Sequence, residues 1–158
     1  MTSRGFWLPV MVSFIIALML TSLPLPENTI VFRPDWLSLV LIYWCMAVPE
    51  RVGILTGWVV GLMIDVMHGS LLGQNALALS IISYVVNLTH LRVRMFPLWQ
   101  QSFVVFVLIL LHLAITAWIR GVTGQFSINW YYWTPAVTSA LVWPFIFVVL
   151  RDLRRQQA

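Results

Sequence analysis

Asp65 is the residue of this chain best placed to do chemistry, because it is an acid inside an apolar segment that includes Leu62 and Val66. An ionisable group within a membrane span is costly unless it faces protein or a water-filled cavity. Asp65 then has three possible roles: pairing with an arginine, hydrogen bonding to a polar group, or binding a proton or cation. The competing interpretation is that the span ends early and that Asp65 lies at the membrane surface beside His68 and Gly69.

Glycines flank Asp65 at intervals of four residues, in a series that is Gly53, Gly57, Gly61, Asp65, Gly69, Gly73. Positions four apart lie on the same face of a helix. Since glycine has no side chain, three glycines in this register allow a second helix to approach until the backbones touch. The spacing therefore predicts a packing face that ends in a carboxylate, and the partner helix belongs either to this chain or to another protein.

A second group of polar residues, Arg33, Pro34 and Asp35, precedes a short apolar run. Proline suits the first turn of a helix, and an acid there interacts favourably with the positive end of the helix dipole. One interpretation is an ordinary helix start at the membrane surface. The other is a loop that docks a partner, or that supplies Arg33 as the buried counter-charge of Asp65.

Motifs for catalysis and metal binding are missing from the sequence. The three histidines, His68, His90 and His112, have no metal-ligand spacing, so we expect no metal and no cofactor. Asp65 is the only acid deep in an apolar run, which excludes an aspartyl protease pair within one chain. Ser80 or Ser83 together with His112 remains a formal nucleophile–base alternative. We predict that the chain is not an enzyme.

The composition indicates a membrane protein. Of the 158 residues, 61% are hydrophobic and 9% are charged, whereas about a quarter of a soluble domain is charged. All nine basic residues are arginines that lie between apolar runs. This arrangement is typical of membrane topology and cannot form a basic surface for nucleic acid, so we expect no nucleic-acid partner.

Six apolar runs predict an all-α membrane domain of six transmembrane helices that covers residues 1–158 as one compact bundle. The runs are residues 6–23, 36–48, 52–67, 71–91, 98–119 and 131–150. The second run is short for a full crossing. If all six cross, both termini lie on one side, and the opposite side holds only Arg33 and Arg120 of the nine arginines. The positive-inside rule then places both termini in the cytoplasm.

Several segments resemble the rod shape-determining protein MreD family of Gram-negative bacteria. These segments are residues 31–36, 43–44 and 49–52, the series from Gly57 through Asp65 to Gly73, and residues 98–101, 142–144 and 154–157. They extend over nearly the whole chain. Each motif is only moderately specific, so the resemblance depends on their order and spacing.

The resemblance implies a non-enzymatic inner-membrane subunit of the cell-elongation machinery. It implies an adaptor for the single-span protein MreC, close to the MreB filament, RodA and a class B penicillin-binding protein that together serve peptidoglycan synthesis. It also implies a six-helix fold similar to the substrate-binding subunits of energy-coupling-factor transporters. The alternative function is a small-molecule binding or transport subunit with a mid-membrane site around Asp65.

Overall fold

The computed structural model describes residues 3–22, 36–69, 73–124 and 133–156, and the regular elements in these ranges are α-helices. They are α1 (Ser3–Ser22), α2 (Trp36–Ala47), α3 (Ile54–His68), α4 (Gln74–Met95), α5 (Leu98–Val122) and α6 (Thr134–Gln156). An all-helical fold suits an apolar solvent, because a helix satisfies its backbone hydrogen bonds within one segment. Each of the six apolar runs in the sequence overlaps one of these helices.

Three of the helices are long and apolar enough to cross a membrane, judged by length and composition. They comprise Gln74–Met95, Leu98–Val122 and Thr134–Leu153. The other apolar helices within the described residues are shorter, namely Trp7–Ser22, Trp36–Ala47 and Ile54–Met67. The structure therefore supports a helical membrane protein with several spans, and six full crossings remain a prediction.

The short helix α2 forms the centre of the molecule. All of residues 37–46 are buried, since α1, α4, α5 and α6 pack around the helix. A helix that is hydrophobic on every side is stable only when it is enclosed, so this sequence favours a central position. The Trp44 indole N–H donates a 2.9 Å hydrogen bond to the Ser13 hydroxyl and thereby ties α2 to α1.

One end of the bundle is held together by Gln101, near the start of α5. Its side-chain amide donates to the carbonyl oxygens of Val93 at 3.1 Å and Phe96 at 3.3 Å. Its own oxygen accepts a hydrogen bond from the Trp143 indole N–H of α6 at 3.3 Å. Since Gln101 also lines a cavity with Ala47 of α2, the C-terminal ends of α2 and α4 lie at the same end of the molecule.

Helix α4 is shifted towards the C-terminus relative to the apolar run that predicted it. It begins at Gln74 because Gly73 has a left-handed backbone (φ 98°) that cannot continue a helix. It runs on past Arg92 to Met95, because a helix can extend its polar last turn beyond the apolar region. It ends where Phe96 adopts an extended conformation (φ −75°, ψ 146°) ahead of Pro97, as expected for a residue before proline.

Candidate functional site

Helices α3 and α4 pack closely along the first part of the glycine series. A Cβ atom added at Gly57 would lie 2.8 Å from the Leu79 carbonyl oxygen, and one added at Gly61 would overlap the Ala76 backbone. Gly53 is less tightly enclosed, because an added Cβ would meet the Asn87 side-chain nitrogen at 3.0 Å. At Gly57 and Gly61 the two backbones are therefore too close to admit any side chain.

Gly69 and Gly73 have a different structural role from the earlier glycines. Helix α3 ends at His68, and Gly69 (φ 62°) is its left-handed C-cap, with its N–H donating to the Asp65 carbonyl oxygen. A Cβ at Gly69 or Gly73 would meet no atom within 4 Å. These two positions require glycine for its backbone conformation and not for close packing. The four-residue series thus divides into packing glycines and turn glycines.

The Asp65 carboxylate binds the start of α4. It is 1% exposed. One oxygen accepts hydrogen bonds from the Gly73 N–H at 2.9 Å and the Ala76 N–H at 3.4 Å. The other accepts from the Asn75 backbone N–H at 3.0 Å and the Asn75 side-chain amide at 2.9 Å. Because the first N–H groups of a helix lack partners within the helix and lie at its positive end, Asp65 acts as an N-terminal cap supplied by a neighbouring helix.

Asn75 connects the hydrogen bonds at Asp65 to helix α5. Its amide NH₂ donates to Asp65, so its oxygen points the other way and lies 3.1 Å from His112 Nε2. An amide oxygen only accepts hydrogen bonds, which makes Nε2 the protonated ring nitrogen in this contact. The three side chains are buried and come from three helices. They form a polar junction inside an otherwise apolar bundle.

The spacing of the sequence does not connect Asn75 or His112 with Asp65. From sequence, His112 is a histidine without metal-ligand spacing or a formal base, and Asn75 is not a candidate residue. One available signal was that His112 lies inside the apolar run of α5, where a polar side chain requires a buried partner. Another was that Asn75 follows Gly73 by two residues, at a helix start.

The serines that might have formed a nucleophile with His112 bond to their own helix instead. Ser80 Oγ donates to the Ala76 carbonyl oxygen at 2.7 Å, and Ser83 Oγ donates to that of Leu79 at 2.8 Å. His112 Nε2 lies 3.1 Å from the Asn75 side-chain oxygen. The described residues also contain no cluster of three or more histidine, cysteine, aspartate or glutamate side chains that could hold a metal ion.

Arg33, Pro34 and Asp35 lie outside the described residues, as does the side chain of His68. The pairing of Arg33 with Asp65 therefore stays a prediction. The same holds for the idea that residues 33–35 form a loop that docks a partner.

The fold and the site together define a class: a multi-pass helical membrane protein in which the buried acid joins helices to one another. Comparison with known proteins is more specific. The family model described as rod shape-determining protein MreD matches residues 1–153. The Rod shape-determining protein MreD of Haemophilus influenzae is 32% identical over 150 residues, which cover 95% of this chain and 93% of that protein.

The chain therefore belongs to the MreD family, and the family predicted from its sequence is confirmed. Membership of this family assigns it to rod shape determination. No solved structure matches the chain. The similarity to substrate-binding subunits of energy-coupling-factor transporters accordingly stays a prediction.

Proposed function

We propose that this chain is a non-enzymatic adaptor of the inner-membrane cell-elongation machinery. Its direct partner is MreC, and it acts beside MreB, RodA and a class B penicillin-binding protein in peptidoglycan synthesis. The observation that carries the proposal is that the buried acid, Asp65, makes four hydrogen bonds to the first turn of α4. Asp65, the residue best suited to chemistry, thus has a structural role.

An adaptor role is favoured over catalysis by the enclosure of Asp65. A general acid or base must come within hydrogen-bond reach of a reacting group. The Asp65 carboxylate is almost fully buried and already receives donors on both oxygens. What the chain offers to its surroundings is mainly apolar helix surface, which suits lipid and the helices of membrane partners.

The alternative of a small-molecule binding or transport subunit would require a cavity with converging polar groups. One cavity, of about 350 Å³, lies between α1, α2 and α6, and Ser13 is the single polar residue in its lining. A second, of about 180 Å³, lies at the Gln101 end of the bundle. Asp65 lines neither of them, so the adaptor function is the better supported of the two.

We further propose that all six helices cross the inner membrane with both termini in the cytoplasm. The distribution of arginines supports this orientation, since Arg33 and Arg120 alone would face outward. The joint position of the C-terminal ends of α2 and α4 also supports it, because six alternating crossings require these two helices to run in the same direction.

Co-purification tests the adaptor function. The tagged chain would be extracted from the membranes of rod-shaped cells in a mild detergent, and the bound proteins would be identified and quantified. We expect MreC to be recovered with the chain, whereas an unrelated single-span membrane protein of similar abundance is not. Recovery of folded chain without MreC, from membranes that contain MreC, would contradict the proposal.

A further inference from the structure

A cavity of about 180 Å³ opens at the Gln101 end of the bundle, where α2, α4, α5 and α6 meet. Its lining consists of Tyr43, Met46, Ala47, Arg94, Gln101 and Phe147. Arg94 is the one charged residue among them, and its side chain is exposed. The cavity is thus a recess of mixed polar and aromatic lining that includes one exposed cation.

A second arginine lies next to this recess. Arg151 follows Phe147 by one turn of α6, and its guanidinium carbon is 5.8 Å from the centre of the Phe147 ring. The Phe147 ring itself packs edge-on against Tyr43, at 5.7 Å between centroids. The Arg151 Nε atom is buried and has no hydrogen-bond partner among the residues that the structure describes. Arg94 of α4 therefore lines the recess, and Arg151 of α6 lies beside Phe147, one of its lining residues.

Within the described part of the chain, neither Arg94 nor Arg151 forms an ion pair. The positive charges of these two arginines are therefore not neutralised there. The other polar group of the lining is engaged, because the Gln101 amide bonds Val93 and Phe96 and its oxygen accepts from Trp143. A ligand that completes the recess must therefore supply negative charge and hydrogen-bond acceptors.

We propose that this recess binds the phosphate group of an anionic phospholipid. The planar guanidinium group of arginine matches phosphate oxygens with paired N–H donors. The volume is several times the roughly 30 Å³ share of a water molecule in the liquid, so a phosphate group fits but a whole lipid does not. The acyl chains would lie along the apolar helix surfaces outside. This site does not depend on the adaptor function proposed above, but the lipid assignment rests on the proposed orientation.

The position of the recess agrees with a lipid source. It lies at the end of the bundle that carries Arg92, Arg94, Arg151 and Arg155, which the proposed orientation places at the cytoplasmic surface. Anionic lipids in that leaflet attract basic side chains near the membrane surface. Inorganic phosphate from the cytoplasm offers the same chemistry, so the experiment must separate the two sources.

Lipid binding would be measured on the full chain in nanodiscs of phosphatidylcholine with a titrated fraction of phosphatidylglycerol, by native mass spectrometry of the retained lipid. We expect selective retention of phosphatidylglycerol. Arg94→Gln and Arg151→Gln should each weaken it more than about tenfold, because each change removes charge-assisted hydrogen bonds to the phosphate as well as a surface charge. Arg94→Lys should keep part of the selectivity, because it keeps the charge but loses the paired N–H geometry.

Two matched controls separate the recess from general surface charge. Arg92→Gln removes an exposed arginine two residues before Arg94, and Arg155→Gln removes one a turn after Arg151; neither lines the recess. Both controls should weaken retention by no more than about fivefold, the general effect of one exposed arginine near an anionic surface. If Arg92→Gln weakens binding as much as Arg94→Gln, or if both lipids are retained equally, the proposal is wrong.

A second arm uses inorganic phosphate with the detergent-purified chain. If phosphate binds and Arg94→Gln abolishes the binding, while phosphatidylglycerol shows no selectivity, the recess takes free phosphate and the lipid assignment is overturned. Added salt should weaken phosphatidylglycerol retention by the wild type, since the contact is ionic and lies at the surface. This measurement needs no variant to fold, and salt-independent retention would count against the site.

Discussion

Asp65 shows how a membrane protein can use a buried acid for architecture. Its carboxylate accepts N–H groups from Gly73, Asn75 and Ala76, and Asn75 passes the connection on to His112. Hydrogen bonds to a charged acceptor are stronger than neutral ones, and a dry interior strengthens them further. The network therefore stabilises the arrangement of three helices at the end of the bundle opposite Gln101.

The sequence indicated that Asp65 faces protein, because a charge in an apolar run has few alternatives. It could not identify the partners, since these depend on how the turn after α3 directs the start of α4 back onto the carboxylate. From sequence, Arg33 is the expected partner because its charge is opposite to that of Asp65. Backbone N–H groups carry no signature in the sequence, so they cannot be identified as partners from it.

We expect Asp65→Asn to destabilise the fold by about 1–3 kcal/mol, the cost of leaving buried polar groups without partners. The new NH₂ group would face the donors at the start of α4, while the side chain keeps its size. Thermal unfolding of the purified chain in detergent measures the effect. Asp152→Asn, at an exposed position of α6, is the matched control and should unfold as the wild type does.

The contact between Asn75 and His112 should show energetic coupling. We expect Asn75→Ala and His112→Ala to be non-additive by about 0.5–1.5 kcal/mol, as for a buried hydrogen bond. A double-mutant cycle on the unfolding free energy measures this coupling. Strict additivity would indicate that the two side chains do not interact in the folded protein.

At the scale of the element, the pair of α3 and α4 depends on backbone contact. Gly57 and Gly61 lie against Leu79 and Ala76 with no room for a side chain. The spacing of these glycines predicted a close helix partner, because the face of a helix follows from residue numbers alone. Which helix it would be could not be predicted, nor could the different role of Gly69, since Gly61 and Gly69 look identical in a four-residue pattern.

Gly61→Leu should prevent α3 and α4 from packing, because the added side chain overlaps the Ala76 backbone. Overpacking costs the most stability where the surrounding backbone cannot move to make room. We expect little folded protein, measured by size-exclusion profile and yield from membranes. Ala114→Leu is the control, as it enlarges a small residue that is exposed on α5; equal behaviour of the two variants would mean that the glycine face is not a tight contact.

At the scale of the whole molecule, a short buried helix is surrounded by longer ones. The length of α2 (12 residues, Trp36–Ala47) made its run the weakest predicted span, yet it is enclosed on all sides. Hydropathy predicted the positions of the six described helices because apolar runs and charged breaks alternate clearly. Hydropathy could not predict that the shortest run is central, because the interior of a protein and the interior of a membrane favour the same apolar residues.

The proposed topology can be tested with reporter fusions after Gly124 and at Ala158. Six crossings place Gly124 after the fifth span and Ala158 after the sixth, so the two fusions should report opposite sides of the membrane. Ala158 should report the cytoplasm, because the positive-inside rule retains the arginine-rich end there. If both fusions report the same side, α6 does not cross the membrane.

The central claim is that the chain acts through its assembled structure, with Asp65 serving the fold and not a reaction. Its most direct test is cell shape in a rod-shaped strain that depends on the Asp65→Asn variant. The variant would be expressed until its folded, MreC-bound amount equals that of the wild type, with Asp152→Asn as control. We predict that rod shape then returns. Spherical cells, despite wild-type amounts of folded chain bound to MreC, would contradict the account, because Asp65 would then contribute chemistry that assembly does not explain.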